Sequence, residues 1–377
     1  MTGLPNLARW GDLTGRSVLV RVDLNTPVAE VDGRLEVTDD FRIRSVEPVL
    51  TDLLARGARV VAATHFGRPH GQVVADFSVE PVRRRLAQLC PGVELLENLR
   101  FDPGEEANDR AFGEALVAGF DYYVNEAFSA SHRAHASIMV PPSVVPSAAG
   151  PALQREVAAL GTLLDATARP FVAIVGGAKV ADKLGIVRVL VERADTVIVG
   201  GAMAYTFLAA QGHGVGSSLL DATRLDECRD LLASGRVLIP VDALGLPAGS
   251  TFGRGGADAA QQFGEEIPDG VVGLDIGPAT IDAFCDVISR AATILWNGPM
   301  GVFEDPRFAA GTEAVARAVA ASSATSVVGG GDSVAALEQF GLTDQVSFVS
   351  TGGGASLEFV EFGDLPGLRA LRESPFP

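Results

Sequence analysis

The chain has 377 residues, with 30 basic against 47 acidic side chains and a formal charge of −17. That balance excludes a protein that binds nucleic acid or an anionic membrane through a broad basic surface, because phosphate groups attract the opposite charge. An apolar fraction of 47% excludes a disordered chain and supplies a sizeable core. The cations divide unevenly: 28 are arginine and only two, Lys179 and Lys183, are lysine. Arginine presents a wide planar fork, whereas lysine presents a compact, movable point charge, so two lysines four residues apart mark a place where that difference counts. Cys90, Cys228 and Cys285 are widely spaced and fit no zinc knuckle or disulfide framework, which points to a reducing compartment. The start, MTGLPNLARWGD, lacks the apolar core of a secretion signal, and the reading is a cytoplasmic protein. One long uncharged stretch, ASIMVPPSVVPSAAGPALQ, is broken by prolines and reads as loop rather than membrane span.

In chain order, Ser17–Val22 reads as a strand. Helically spaced Ile43, Val46, Val49, Leu50, Leu53 and Leu54 follow, closed by Gly57. Arg59–Thr64 is the next strand, then a helix over Pro81–Leu89, a strand at Val93–Leu96, a helix around Arg110–Val117 and a strand at Tyr122–Val124. The Pro/Ser-rich stretch 141–151 interrupts this rhythm. A helix with Leu153, Val157, Leu160, Leu163 and Leu164 on one face then connects to a second series. Its strands are predicted at Phe171–Val175, Thr196–Val199, Val237–Val241, Thr293–Trp296, Ser326–Val328 and Val346–Val349. Repeated β-α alternation predicts two doubly wound parallel sheets covered on both faces.

In such sheets ligands bind at the carboxyl ends of the strands, so the residues that follow each strand carry the functional signal. In the first half these are polar hooks: VRVDLN, THFGRP, LENLRF (Glu97, Asn98, Arg100) and VNEAFSASHRAH. Arg42, His65, Arg68 and Arg133 come from different connections yet can converge on one small anion, since guanidinium groups grip carboxylate or phosphate with two hydrogen bonds. His132 and His135 lack enough neighbouring ligands for a metal and read as positioning or structural. Trp10 reads as core, and Trp296 as packing beneath the NGP turn.

In the second half the strand ends are glycine-rich: VGGAKVADK, VGGAMA, LDIGP, WNGPMGVFE, VGGGDS and STGGGAS. Glycine lets the backbone approach a phosphate, and a helix start attracts anions. The sequence predicts a helix directly after Gly176-Gly177, with Lys179 and Lys183 on one face of its first turns. No G-x-x-x-x-G-K-[ST] phosphate loop occurs. GHGVGS follows a helical segment and is not a dinucleotide fingerprint.

Ten motifs in order, VRVDLNTPV, DDFRIRSV, THFGRP, LLENLRF, SHRAHAS, ARPFVAIVGGAKVADK, LDIGP, WNGPMGVFE, VVGGGDS and STGGGASLE, resemble the phosphoglycerate kinase family from about residue 5 to 370. The resemblance implies an α/β protein of two Rossmann-like domains joined by a helix and hinge. Residues 1–168 would bind the glycerate, 169–360 the nucleotide, and 361–377 would form a tail returning to the first domain. It implies a monomer that interconverts 1,3-bisphosphoglycerate plus ADP with 3-phosphoglycerate plus ATP, using Mg²⁺, with no nucleic-acid or membrane partner. Asp23, Asn25, Arg42, His65, Arg68, Arg133 and Arg169 would form the triose site. Gly177, Lys179, Lys183, Glu304, Gly330, Gly331, Asp332 and Ser333 would line the nucleotide site, with Glu304 on the ribose and Asp332 on the metal. Arg42, Lys179 and Lys183 would be catalytic, Arg42 and Lys183 reaching the transferring group on closure.

The chain departs from the family pattern at four places. A segment before Leu95 is trimmed. Glu126, Ser129 and Ala130 replace Asp, Gly and Thr, and Glu126 is expected to keep its charge while reaching further. Ser333 replaces Thr. EFGDLPG, with Phe362, replaces an EGK-type segment before the tail. A rival reading is a catalytically weakened binding protein on the same scaffold, set against the intact Lys179, Lys183, Arg42 and Asp332.

Overall fold

The structure is a computed structural model that describes residues 3–164, 168–253, 256 and 258–376. Met1–Ala158 and Asp364–Pro377 pack as one unit, and Ala159–Gly363 as a second. The first division therefore falls inside the connecting helix Pro151–Gly161, not at 168/169. The second follows Gly363, whose left-handed backbone (φ 74°) closes the helix Gly354–Phe362. Among the described residues no helix is long and apolar enough to cross a membrane.

The first unit is built on β1 (Ser17–Arg21), β2 (Arg59–Ala63), β3 (Glu94–Leu95), β4 (Tyr122–Asn125) and β5 (Ser147–Ala149). They run parallel in the order β3-β2-β1-β4-β5. Side chains alternate across each strand. Val18, Val20, Val60 and Ala62 join one core with Ile43, Leu50 and Leu53 of the helix Phe41–Ala55. Leu19, Val61, Ala63 and Tyr123 join another on the opposite face. Coverage on both faces explains why the strand sequences are apolar runs rather than alternating patterns. A fully buried Val or Leu contributes roughly 1.5–3 kcal/mol relative to exposure, so these two cores fix the sheet on which the loops stand.

The second unit carries β6 (Phe171–Val175), β7 (Thr196–Val199), β8 (Val237–Leu238), β9 (Thr293–Asn297), β10 (Thr325–Gly329) and β11 (Phe348–Val349), all parallel, in the order β8-β7-β6-β9-β10-β11. The edge strands β8 and β11 are shorter than the predicted 237–241 and 346–349, since each pairs on one side only. An unpredicted antiparallel sheet, formed by Ala243–Pro247, Gln261–Phe263 and Val271–Ile276, stands apart from the parallel one. Trp296 is fully buried and its indole donates to Gly298 O at 2.8 Å, beneath the NGP turn as expected. Trp10 is partly buried with its ring 4.5 Å from that of Tyr122.

The tail residues belong to the first unit. Leu368 and Leu371 are buried, and the Gly367 amide donates to Ser131 O at 2.9 Å. A Cβ at Gly367 would press on Ile138 and Ser131, so the EFGDLPG variant supplies the glycine that this docking requires.

Glu126 ends β4 but turns to the connecting helix. Its Oε1 accepts from Ala152 N at 3.0 Å, while Oε2 is buried without a hydrogen bond. Burial lifts this carboxyl from 4.5 to about 7, against the amides of Ala152 and Leu153 and the charge of Arg155. The expectation that Glu126 simply keeps its charge is thus corrected: near neutrality the group is partly protonated.

A raised carboxyl adds stability that is complete below its unfolded pKa and lost as pH rises through the folded one. Here that window runs from 4.5 to about 7. Asp275, which burial also lifts to about 7, acts in the same direction and overlaps this window. Glu126→Gln removes one of the two contributions. The stability difference between wild type and variant, measured by urea unfolding, is expected to change by roughly 3 kcal/mol across the window, at ~1.4 kcal/mol per pKa unit. A difference that is constant with pH counts against this assignment.

Candidate active site

In the first unit the chain leaves β1 toward β2 on one side and β4 lies on the other, so a crevice opens at the carboxyl ends of β1 and β4. A hollow of about 200 Å³ lies there, lined by Asp23, Asn25, His65, Gly67, Arg68, Arg100, Ser129, Ala130, His132 and Arg133. Five of the predicted triose residues, Asp23, Asn25, His65, Arg68 and Arg133, are among them. A sixth, Arg42, joins by its ion pair with Asp23. The Ser129 hydroxyl donates to the same Asp23 carboxylate, so the departure from glycine adds a hydrogen bond to the site. The turn Phe128–Ala130 forms without a left-handed residue there.

Burial opposes a charge on Asp23, but His65, Arg42, the Ser129 hydroxyl and the Asn25 amide outweigh it and hold the carboxyl at about 2. The histidines are pushed the other way. Burial first and the Arg21 guanidinium second lower His65 to about 3, opposed by Asp23. Burial and Arg100, with Arg21 and Arg133, lower His135 to about 4, and burial with Arg133 lowers His132. The cradle is therefore positive through its arginines, with neutral imidazoles among them. Arg100, read in sequence only as a polar hook, is a wall residue: it donates to Gly67 O at 2.7 Å, while Asn25 Oδ1 accepts from Gly67 N at 2.9 Å.

Arg169 is not among the residues that line this hollow. It belongs to the second unit, where it precedes β6 and pairs with Asp195 at 3.1 Å. That is the amino end of the strand, opposite the glycine loop. The neighbouring proline fixes it in sequence beside a real motif, but strand direction sends it away from the loop.

In the second unit the crevice opens between β6 and β9. Gly176–Lys183 is a loop, and the helix begins only at Leu184, correcting the prediction that the lysines share its first turns. Two close approaches hold the loop: Gly177 N donates to Pro299 O at 3.1 Å and Met203 N donates to Gly177 O at 3.0 Å. Gly177 has φ of +110°, which suits glycine alone. The lysines part company. Lys183 turns inward, donating to Gly176 O at 2.6 Å, to Asn297 Oδ1 at 2.8 Å and to Asn297 O at 3.3 Å. Burial lowers it to about 8, against the charges of Asp332 and Asp182. Lys179 is exposed and lines a separate hollow of about 210 Å³ with Thr206, Leu219 and Asp221.

A larger pocket of about 480 Å³ is lined by Gly177, Glu304 and Asp332 together with Gly201, Tyr205, Phe252, Val272–Leu274, Pro299 and Val302. Its mostly apolar wall and two rim carboxylates suit a flat heterocycle with polar substituents. Gly330 (φ +92°) leads into the helix Gly331–Gln339, which places Asp332 in its first turn. Ser333 is buried and its hydroxyl accepts from Gly298 N at 2.5 Å, so it ties the β10 loop to the NGP turn. Sequence reading missed Asn297, though its motif was read, and missed the wall from the antiparallel sheet, whose short strands give no strong period. Among the described residues no group of three metal-ligating side chains forms a metal cage.

One doubly wound unit with a cradle for a small anion, and another with a glycine-lined pocket beside a half-buried lysine, together define a phosphotransferase. A family model described as phosphoglycerate kinase matches residues 9–96 and 91–362. The phosphoglycerate kinase of Rubrobacter xylanophilus is 49% identical over 96% of this chain and 97% of that protein. That of Parafrankia is 46% identical over 95% and 98%. The solved phosphoglycerate kinase structure from Coxiella burnetii superposes with a TM-score of 0.87 at 34% identity, covering 98% and 99%. That from Pyrococcus horikoshii does so with 0.84 at 30%, over the same shares. The chain belongs to the phosphoglycerate kinase family.

Lys183 sets a testable pH limit. Its ammonium form is lost as pH rises through about 8 instead of 10.5, and kcat/KM reports groups of the free enzyme. We expect kcat/KM for the nucleotide to decline above about pH 8. Lys183→Arg, which stays charged, is expected to show lower activity without that limb. A wild-type profile that is flat up to 10.5, the ordinary lysine value, contradicts this role.

Proposed function

We propose that this protein reversibly transfers a phosphoryl group from 1,3-bisphosphoglycerate to MgADP, giving 3-phosphoglycerate and MgATP. The observation that carries this reading is the pairing of two half-sites of complementary chemistry at two switch points, on a chain of established family. The first unit would hold the triose through Arg68, Arg133, His65 and Asn25, with Asp23 presenting Arg42 to the reacting end. The second would hold the nucleotide base and ribose between the apolar wall and Glu304. Its phosphates would lie toward Lys183, Lys179 and the Gly330–Asp332 turn. Arg169, paired to Asp195 at the other end of its strand, is left out of the triose set.

In the direction of ATP use the acceptor is a carboxylate, already ionised at pH 7, and needs no general base. Catalysis then consists of in-line positioning and neutralisation of charge on the transferring group. Lys183 supports the reading because its ammonium is partly desolvated and bound to neutral acceptors it can exchange for a phosphoryl oxygen. Asp332, one of the two carboxylates on the nucleotide pocket rim, would supply one ligand to a Mg²⁺ ion that arrives on the nucleotide's phosphates and keeps most of its ligands from phosphate and water. That ion would supply further charge neutralisation.

A coupled assay for ATP formation from 1,3-bisphosphoglycerate tests the function directly. Lys183→Ala is expected to lower kcat by on the order of 10²–10³, the usual cost of one electrostatic donor. Near-normal turnover in a folded variant would refute its role. Arg42→Ala is expected to lower kcat strongly while leaving ADP affinity near wild type, since Arg42 lies in the first unit. Lost ADP affinity at unchanged kcat would contradict that division.

A further inference from the structure

Beneath the anion cradle lies a buried charged chain that the proposed reaction does not use. Strand alternation sends Arg21, the last residue of β1, to the same face as Leu19, under the sheet rather than into the hollow. It is 1% exposed, and Glu105 and Ser137 are 0% exposed. Such groups persist in a core only when their hydrogen bonds are met. Here each donor has an acceptor. Ser137 donates from N to Glu105 Oε2 at 2.9 Å and from Oγ to Glu105 Oε1 at 2.7 Å. Arg21 Nε donates to Ser137 Oγ at 2.9 Å, and Nη1 to Val22 O at 2.5 Å. Tyr123 fixes the serine from the other side, its hydroxyl donating to Ser137 O at 2.7 Å. Arg21 Nη2 is then left facing His65 Nδ1 at 3.2 Å.

That last contact has one chemical sense. A guanidinium has donors only and does not lose its proton in a protein. So Nδ1 of His65 is the acceptor and carries no hydrogen. The ring's single proton sits on Nε2, because the bond made by one imidazole nitrogen determines the state of the other. His65 lines the hollow, and among the described residues Nε2 makes no hydrogen bond to protein. We propose that Glu105 is a positioning residue: acting through Ser137 and Arg21, it holds His65 as a neutral imidazole whose Nε2–H is offered to the bound anion.

Four charged or titratable neighbours act on the ring. Arg21, Arg100 and His135 disfavour a second proton and Asp23 favours one, while burial disfavours it most. The imidazole thus contributes a directed hydrogen bond, and the net charge of the cradle comes from its arginines. The chain also explains why Glu105, which does not itself line the hollow, lies fully buried beside a second carboxylate that pairs with Arg100 at 3.2 Å.

The role of the anion rests on the substrate reading above; the tautomer does not. The test is long-range proton–nitrogen NMR of the ligand-free full chain with labelled histidine, from pH 5 to 8. The chain has five histidines, and His65→Gln identifies the resonance. Wild type is expected to show His65 protonated on Nε2 alone, with no titration across that range. Ser137→Ala cuts the chain while keeping the backbone amide on Glu105. It is expected to give a mixed tautomer and a raised pKa for His65, and to raise KM for 3-phosphoglycerate roughly 10-fold or more, the scale of a hydrogen bond to a charged group. KM for nucleotide is expected to stay within about twofold, since that pocket is in the other unit. Glu105→Gln should act in the same direction, and the wild-type spectrum alone decides the matter if neither variant folds. A proton on Nδ1, titration of His65 near its ordinary value, or an unchanged spectrum in Ser137→Ala overturns the proposal. An Nε2-protonated His65 in a protein that does not turn over 3-phosphoglycerate sinks the substrate reading and leaves the positioning role standing.

Discussion

Four cations that these sites draw out of water are held by acceptors from the protein itself. Arg42 has Asp23, Lys183 has Gly176 O and Asn297, Arg21 has Ser137 and Val22 O, and Arg100 has Gly67 O and Glu106. Desolvating a charge without a partner costs several kcal/mol, more than most single contacts return. The acceptors therefore decide where the cations can stand, and the loops are shaped around them. On an acidic protein this also keeps positive potential local, because Arg42, Arg21 and Arg100 each stand within a few ångströms of a carboxylate or carbonyl oxygen.

The scaffold was largely legible in sequence. Val18–Val20, Val60–Ala63 and Phe171–Val175 are apolar runs too short for helices, and Ile43 to Leu53 repeat at helical spacing, so period and length sufficed. What failed had little period to read. The strands Gln261–Phe263 and Val271–Ile276 are short or glycine-bearing, and the hairpin Val28–Val31 with Arg34–Val37 is largely exposed. The loop Gly176–Lys183 was taken for helix because two lysines four apart fit a helix face equally well. Only the approach of Pro299 and Met203 to Gly177 excludes it, and that is a tertiary fact.

The site was legible one side chain at a time and less so as an arrangement. Motif position brought Asp23, His65, Arg68 and Arg133 together because each follows a central strand. The same logic does not extend to Arg169, which precedes a strand and pairs with Asp195. Asn297 carries no charge and drew no notice, yet it holds the half-buried Lys183 through two oxygens. Ser129 and Glu126 looked like weakened family positions. Ser129 instead adds a donor to Asp23, and Glu126 uses its extra length to meet the first turn of the connecting helix.

The docking of the tail onto Ser131 has a consequence for the order in which the protein is made. The sheet of the first unit is encoded by residues up to Ala149, so it can assemble while most of the second unit is still being synthesised. The segment next to it, which leads into His132 and Arg133, lacks its Gly367 partner until the whole of the second unit has been synthesised. The tail contact beside the anion cradle thus forms only after the second unit is made, although the cradle's lining residues all precede it in the chain, and a nascent chain carries its scaffold well before it carries that contact.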